Sequence, residues 1–244
     1  MKPQLSDAAT RPVESRREDA SRVLRMLDRL CMPRMICERR TALRSHFDVA
    51  GQFSELEESC IPSYVHRNSL AAWVSWSRLL EAARLYERWG NAGAVLDFGS
   101  ATGEIAHLVA PPGEYCFIEQ QDIVADALLH WLPNARRIHI DDLGRERFAV
   151  IFALDSLEHN KDTETLVAQL ETGLHDSGVF ILSGPTENLL YRTGRKLAGF
   201  DGGYHHQTIW QIEKHVRSRM SLLERSIVPL GIPLFSVSAW RVNR

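Results

Sequence analysis

The sequence has no Cys-x-x-Cys pair, no repeat and no low-complexity tract. Its cysteines, Cys31, Cys37, Cys60 and Cys116, are scattered and lack a matching histidine pair. That pattern argues against a zinc or disulfide framework and fits a reducing cytoplasm. There is no apolar stretch of the ~18 residues that a membrane-spanning helix needs. An apolar signal core is also missing, and the Arg-rich opening carries Asp7, Glu14, Glu18, Asp19 and Asp28. Those acids speak against a mitochondrial transit peptide. Charge of one sign is lacking too: the net charge is only −2. The small total hides a basic front, +5 over residues 1–45, and an acidic remainder of −7. An acidic body does not suit a protein built to grip a nucleic-acid backbone. What is present is ordinary: 244 residues, 44% hydrophobic and 25% charged, which excludes collagen-like and fully disordered classes. A chain of this size buries roughly 70–75% of its unfolded surface and needs neither metal nor disulfide to hold a core.

Residues 1–20 are polar without periodicity and read as a disordered tail. Helical spacing begins near Ser21 with Val23, Leu24, Met26, Leu27 and Leu30, between Arg22, Arg25 and Arg29. This reads as a surface helix rather than a nucleic-acid arm. A second helix is expected from Asn68 to Trp89, with Ser69 as a candidate cap. After Gly93 the texture changes to short apolar runs alternating with helical patterns. Strands are expected at 94–99, 115–119, 136–140, 148–154, 178–184, 226–230 and 234–242. Helices are expected at 104–110, 122–132 and 162–174, with Asp162 as a cap, and a helix-rich stretch over 187–220. Such alternation indicates βαβ units and a parallel sheet. The tight Gly231-Ile232-Pro233 turn suggests a closing antiparallel hairpin.

The stretch VLDFGSATGEIA, residues 95–106, carries the chemistry. A buried strand runs into a glycine-rich turn that opens a helix. Gly99 and Gly103 allow tight turning, and the helix N-terminus presents free N–H groups. Doubly wound folds bind nucleotide-like ligands at this place. The next strand ends in Glu119, where a carboxylate can accept two hydrogen bonds from a ribose diol. The turn lacks the G-x-G-x-x-G spacing for a pyrophosphate, and its flanking acids, Asp97 and Glu104, would repel one. They suit a ligand carrying an ammonium or a sulfonium.

The D-x-G-x-A-x-G pattern, the acid at the end of the second strand and the run FAVIFALDSLEHNKD at 148–162 resemble the class I S-adenosylmethionine-dependent methyltransferases. Ala101 stands where that family usually has a second glycine. The resemblance implies an α/β, doubly wound, Rossmann-like sheet of seven strands, mostly parallel with the last antiparallel. A helical extension over 21–92 would precede the cofactor domain at 93–244, which carries a substrate-side insertion at about 185–220. The implied cofactor is S-adenosyl-L-methionine. Its methionine part would lie against Gly99, Ser100, Ala101 and Gly103, with Asp97 near the ammonium. Glu119 would hold the ribose and Gln120 the adenine face, while Asp141 or Asp142 would receive the adenine amino group. Asp155 would line the pocket near the reactive methyl.

Catalytic candidates are His159, His205 and His206, because imidazole titrates near neutrality and could take a hydroxyl proton. Asp155, Glu158 and His159 could also suit a divalent cation, but bracing of the loop is the favoured reading and no metal is expected. Tyr64, His66 and Arg67 read as a helix lead-in or as a cover for the cofactor. Arg192, Arg195 and Lys196, between Leu189, Leu190 and Leu197, read as a lid helix with scope for peripheral membrane contact. The expectation is therefore O-methylation of a small-molecule, glycan-like or lipid-linked acceptor in the cytoplasm, without nucleic acid. The alternatives are an RNA or protein methyltransferase and a non-catalytic nucleotide-binding protein. The oligomeric state is left open.

Overall fold

The computed structural model describes residues 32–56, 59–197 and 206–243. The helix expected from Ser21 and the disordered tail lie outside these residues, as does His205. Four helices come first: α1 (Arg34–His46), α2 (Phe53–Leu56), α3 (Ile61–Tyr64) and α4 (Ser69–Trp89). The Asn68 side chain, not Ser69, caps α4 by accepting from the N–H groups of Leu70 and Ala71. Ser69 is instead the first helical residue.

Then follow β1 (Val95–Phe98), α5 (Glu104–Val109), β2 (Tyr115–Ile118), α6 (Asp122–Trp131) and β3 (Arg136–Arg137). β4 (Phe148–Leu154), α7 (Thr163–Gly173), β5 (Leu174–Pro185) and α8 (Leu189–Leu197) continue the chain. It closes with α9 (Ile209–Arg217), β6 (Met220–Val228) and β7 (Phe235–Val242). The strand order is β3-β2-β1-β4-β5-β7-β6. β1 pairs in parallel with β2 and β4, and β7 lies antiparallel between β5 and β6. The chain is thus doubly wound, with a mostly parallel sheet of seven strands and a closing hairpin.

Period-two alternation divides the core between the sheet's two faces. Val150 and Phe152 join Val95, Phe117, Val179 and Ala239 on the face covered by α4, α5 and α6. Ile151 and Ala153 join Leu96, Phe180 and Trp240 on the face covered by α7 and α9. Helices α1, α3 and α4 of the N-terminal extension contribute Ile36, Leu43, Ile61, Trp76 and Leu79 to the first of these cores. The extension therefore shares a core with the sheet. α4 is also tied to β6, where Glu224 accepts from Arg84 at 2.6 Å and from the Trp89 indole at 2.8 Å.

β3 is shorter than its sequence pattern suggests. Beyond it, Ile140–Asp142 form a 3₁₀ turn, and the Asp142 carboxylate accepts the His139 N–H. β6 is longer, beginning at Met220 rather than Ser226: it is an edge strand whose residues from Ser221 to Ile227 are exposed or only partly buried, so it lacks the continuous apolar run of a buried strand.

Candidate active site

The turn after β1 is shaped by backbone conformation. Gly99 and Gly103 have φ of 68° and 75°, and Ala101 is held at 45°. A side chain at Gly99 would collide with Ser156 Cβ from the loop after β4. That close approach joins the ends of β1 and β4. At the end of β2, the half-buried Glu119 carboxylate accepts the N–H of Ala101 at 3.0 Å and of Gln121 at 2.9 Å. Gly99, Ser100, Ala101, Gly103 and Glu119 are thereby brought together as the sequence suggested. Burial raises the Glu119 carboxyl above its usual range, against those backbone donors. Asp97 is buried at the head of the turn and accepts the Tyr115 hydroxyl at 2.6 Å. Burial, helped by the nearby Glu119 charge, pushes it up to about 7 against the Tyr115 hydrogen bond.

Glu104 behaves differently from the sequence reading. It is 2% exposed and receives both Nε and Nη2 of Arg39 on α1, at 3.0 and 2.7 Å. The Thr102 hydroxyl donates to it as well, and the Arg39 guanidinium stacks on Trp131 at 4.3 Å. Its charge is neutralised within the protein, so it contributes little repulsion toward a phosphate. Its role is to anchor α1 to the start of α5.

Two buried polar atoms flank this turn without hydrogen-bond partners: Ser156 Oγ and Gln121 Oε1. Buried polar groups are usually satisfied, so each of these atoms has hydrogen-bonding capacity left over. Gln120 and Asp141 are exposed at the same edge, whereas Asp142 is engaged in its local cap.

Asp155, past β4, sits in the left-handed region at φ 51°. It is held there by an ion pair with Arg78 and by the Ser183 hydroxyl, which donates at 2.7 Å. Arg78 is 3% exposed and lies over the rings of Tyr64 and Phe235, at 5.3 and 5.0 Å. Sequence reasoning missed Arg78. The available signal was a lone cation on the apolar stripe of α4, in helical register with Ser75 and Ala82. Tyr64 is buried with its ring tilted against Trp76 at 5.1 Å, while Arg67 is exposed. Among the histidines, His159 is half-buried in the 3₁₀ turn Leu157–His159. His206 is exposed, and its backbone N–H donates to the Glu158 carbonyl at 2.8 Å. Among the described residues, no group of three His, Cys, Asp or Glu side chains is arranged to hold a metal ion.

No family model and no curated protein matches the sequence. Solved structures do match the fold. The N-methyltransferase NodS from Bradyrhizobium japonicum, in complex with S-adenosyl-L-homocysteine, is 14% identical with a TM-score of 0.57. That match covers 70% of this chain and 88% of NodS. An S-adenosylmethionine-dependent methyltransferase from Clostridium acetobutylicum is 12% identical with a TM-score of 0.56, covering 81% of this chain and 100% of the other. The magnesium protoporphyrin IX methyltransferase of Synechocystis, with bound S-adenosyl-L-homocysteine, is 15% identical with a TM-score of 0.54. It covers 72% of this chain and 88% of its own. At these identities the likeness is one of fold: the chain has the Rossmann-like fold of class I methyltransferases.

Proposed function

We propose that this chain is an S-adenosylmethionine-dependent methyltransferase acting on a small-molecule acceptor. The observation that carries the reading is the joined geometry of the glycine turn and Glu119, at the carboxyl ends of β1 and β2 in this fold. Ligands of open α/β sheets bind at that edge. Gly99, Ser100, Ala101 and Gly103 would bear on the methionine part, and Glu119 on the ribose hydroxyls. Asp97, buried with no cation partner among the described residues, would gain one from the ligand's ammonium. With Asp142 engaged locally, Asp141 and Gln120 are the better adenine contacts, and Gln121 Oε1 offers a further acceptor. When bound, the cofactor supplies an electrophilic methyl on a sulfonium. The protein's own task is then to align the acceptor and manage its proton.

In this reading the extension at 21–92 and the insertion at 185–220 cover the site at 93–184. Arg78 and Tyr64 from the extension already reach it. Oxygen is the acceptor atom if an imidazole removes the proton, and His159 is then better placed than the exposed His206. A peripheral membrane contact of this edge is supported by Leu189, 81% exposed, beside the exposed cations Arg192 and Lys196. No described helix is long and apolar enough to cross a membrane. The scattered thiols and the acidic body support a cytoplasmic protein that does not act on nucleic acid.

Titration calorimetry with S-adenosyl-L-homocysteine tests the function. Saturable binding at one site per chain is expected. No binding by the wild-type chain overturns the proposal.

A further inference from the structure

The carboxyl ends of β4 and β5 hold a buried polar cluster in which one charge is left over. Arg78 is ion-paired with Asp155, and Arg195 lies 3.0 Å from Glu187. Glu158 stands in the same cluster and forms no ion pair among the described residues. It is 1% exposed, and its Oε2 is buried without a hydrogen-bond partner. Burial raises its carboxyl far above the usual range. The charges of Asp155 and Glu187 add to that rise, while a hydrogen bond from its own backbone N–H and the Arg78 charge oppose it.

Among the described residues, no ion pair gives Glu158 a cation, and the neighbouring thiol and phenols are neutral. The Cys60 thiol is pushed up to about 11 by burial, and the hydroxyls of Tyr64 and Tyr191 are also raised by burial. All three are therefore neutral near pH 7. His159 shares the 3₁₀ turn with Glu158, and the His206 backbone N–H donates to the Glu158 carbonyl. Aromatic rings belong to the same cluster: Tyr191 is set edge-on to Phe235 at 5.3 Å, and Phe235 lies under the Arg78 guanidinium.

A buried carboxylate without a partner is costly, and the cost is relieved by protonation or by a cation with hydrogen-bond donors. A ligand ammonium supplies both the charge and the donors, and aromatic faces favour it further. An alcohol supplies a donor only. We propose that Glu158 recognises the ammonium of an amine acceptor and takes its proton, so that the methylated atom is nitrogen. This rests on the methyltransferase reading and corrects its expected acceptor atom. The N–H proton passes to the Glu158 carboxylate, leaving a neutral amine with a free electron pair. That pair forms the new C–N bond while the C–S bond breaks and sulfur keeps its electrons. The product is a methylated ammonium, a neutral thioether and a protonated Glu158.

The test uses n-butylammonium and benzylammonium chloride as probes, with n-butanol and benzyl alcohol as neutral controls. Binding is measured by calorimetry at pH 7 in buffers of different ionisation enthalpy. The ammonium ions are expected to bind and release a proton to the buffer, and the alcohols to bind at least tenfold more weakly. Glu158→Gln is expected to remove the proton release and lower ammonium affinity at least tenfold. It should melt at or above the wild-type temperature, since a costly buried carboxyl is gone. Three results would each overturn the proposal: equal binding of alcohols and ammonium ions, no ammonium binding, or failure of Glu158→Gln to fold. If S-adenosyl-L-homocysteine binds and the amines do not, the methyltransferase reading survives and this one fails. If the amines bind and S-adenosyl-L-homocysteine does not, the cation site survives and the methyltransferase reading fails.

Discussion

The two halves of the sheet edge are built in different ways. At β1 and β2 the site is mostly backbone: a glycine turn, N–H groups and a single carboxylate that joins them. Its parts lie within one βαβ unit. At β4 and β5 the site is made of buried side chains drawn from distant segments. Arg78 comes from α4, Asp155 and Glu158 follow β4, and Tyr191 lies on α8. The first half presents backbone dipoles around Glu119, with Asp97 and Glu104 buried behind them, while the second is built mainly of charged side chains in a desolvated interior. In the proposed reading, cofactor binding falls to the first construction and selection of the acceptor to the second.

That comparison can be broken most forcefully at Arg78. Arg78→Leu should cost about 3–5 kcal/mol of stability in urea unfolding, because it leaves the buried Asp155 carboxylate uncompensated. Adding Asp155→Asn should restore at least half of the loss. A single variant as stable as wild type would mean that the acceptor half is not held by charge pairing.

Glu119→Ala should act on the other half with a smaller effect. Ligand affinity should fall about 10–100-fold, equivalent to about 1.4–2.8 kcal/mol. Since Glu119 also braces Ala101, a modest fall in melting temperature should accompany this.

Asp97 sharpens the contrast through pH. Burial pushes its carboxyl up to about 7 in the folded protein, from an ordinary value of 3.8. The native state therefore binds more protons than the unfolded state between those values. Wild-type stability should lose this contribution as pH rises through that window, and Asp97→Asn should not share the loss. At pH 8 the variant should gain on the order of 1–3 kcal/mol relative to wild type. An ammonium-bearing ligand favours ionised Asp97, so wild-type affinity for S-adenosyl-L-homocysteine should weaken as pH falls below 7. Parallel pH profiles for the two proteins would contradict this assignment.

The smallest effect is expected at the adenine edge. Asp141→Ala should weaken ligand binding by about threefold to tenfold, equivalent to about 0.7–1.4 kcal/mol. Asp142→Ala should leave affinity unchanged and cost about 0.5–1 kcal/mol of stability, the scale of a lost cap.

The same division explains what the sequence made legible. The β1 turn could be read because strand, glycines and helix start are contiguous, and Glu119 follows at a regular distance. The run 148–154 was clear because a strand buried on both faces is continuously apolar. Helix α1 was hidden. Its buried face includes Arg39 and Arg40, which look solvated until their partners are known. Arg39 meets Glu104 across 65 positions of sequence, and Arg40 donates to the Tyr64 and His66 carbonyls. Glu158 was visible as part of D-x-x-E-H, but its lack of a cation among the described residues is a property of packing. No local pattern reports it.

The account stands on the separation of the two halves. The measurement that reaches it most directly is the calorimetric affinity for S-adenosyl-L-homocysteine, taken side by side in wild type, Glu119→Ala and Glu158→Gln. Wild type and Glu158→Gln should bind alike, with Glu119→Ala at least tenfold weaker. Equal loss in both variants, or no binding in wild type, would contradict the account.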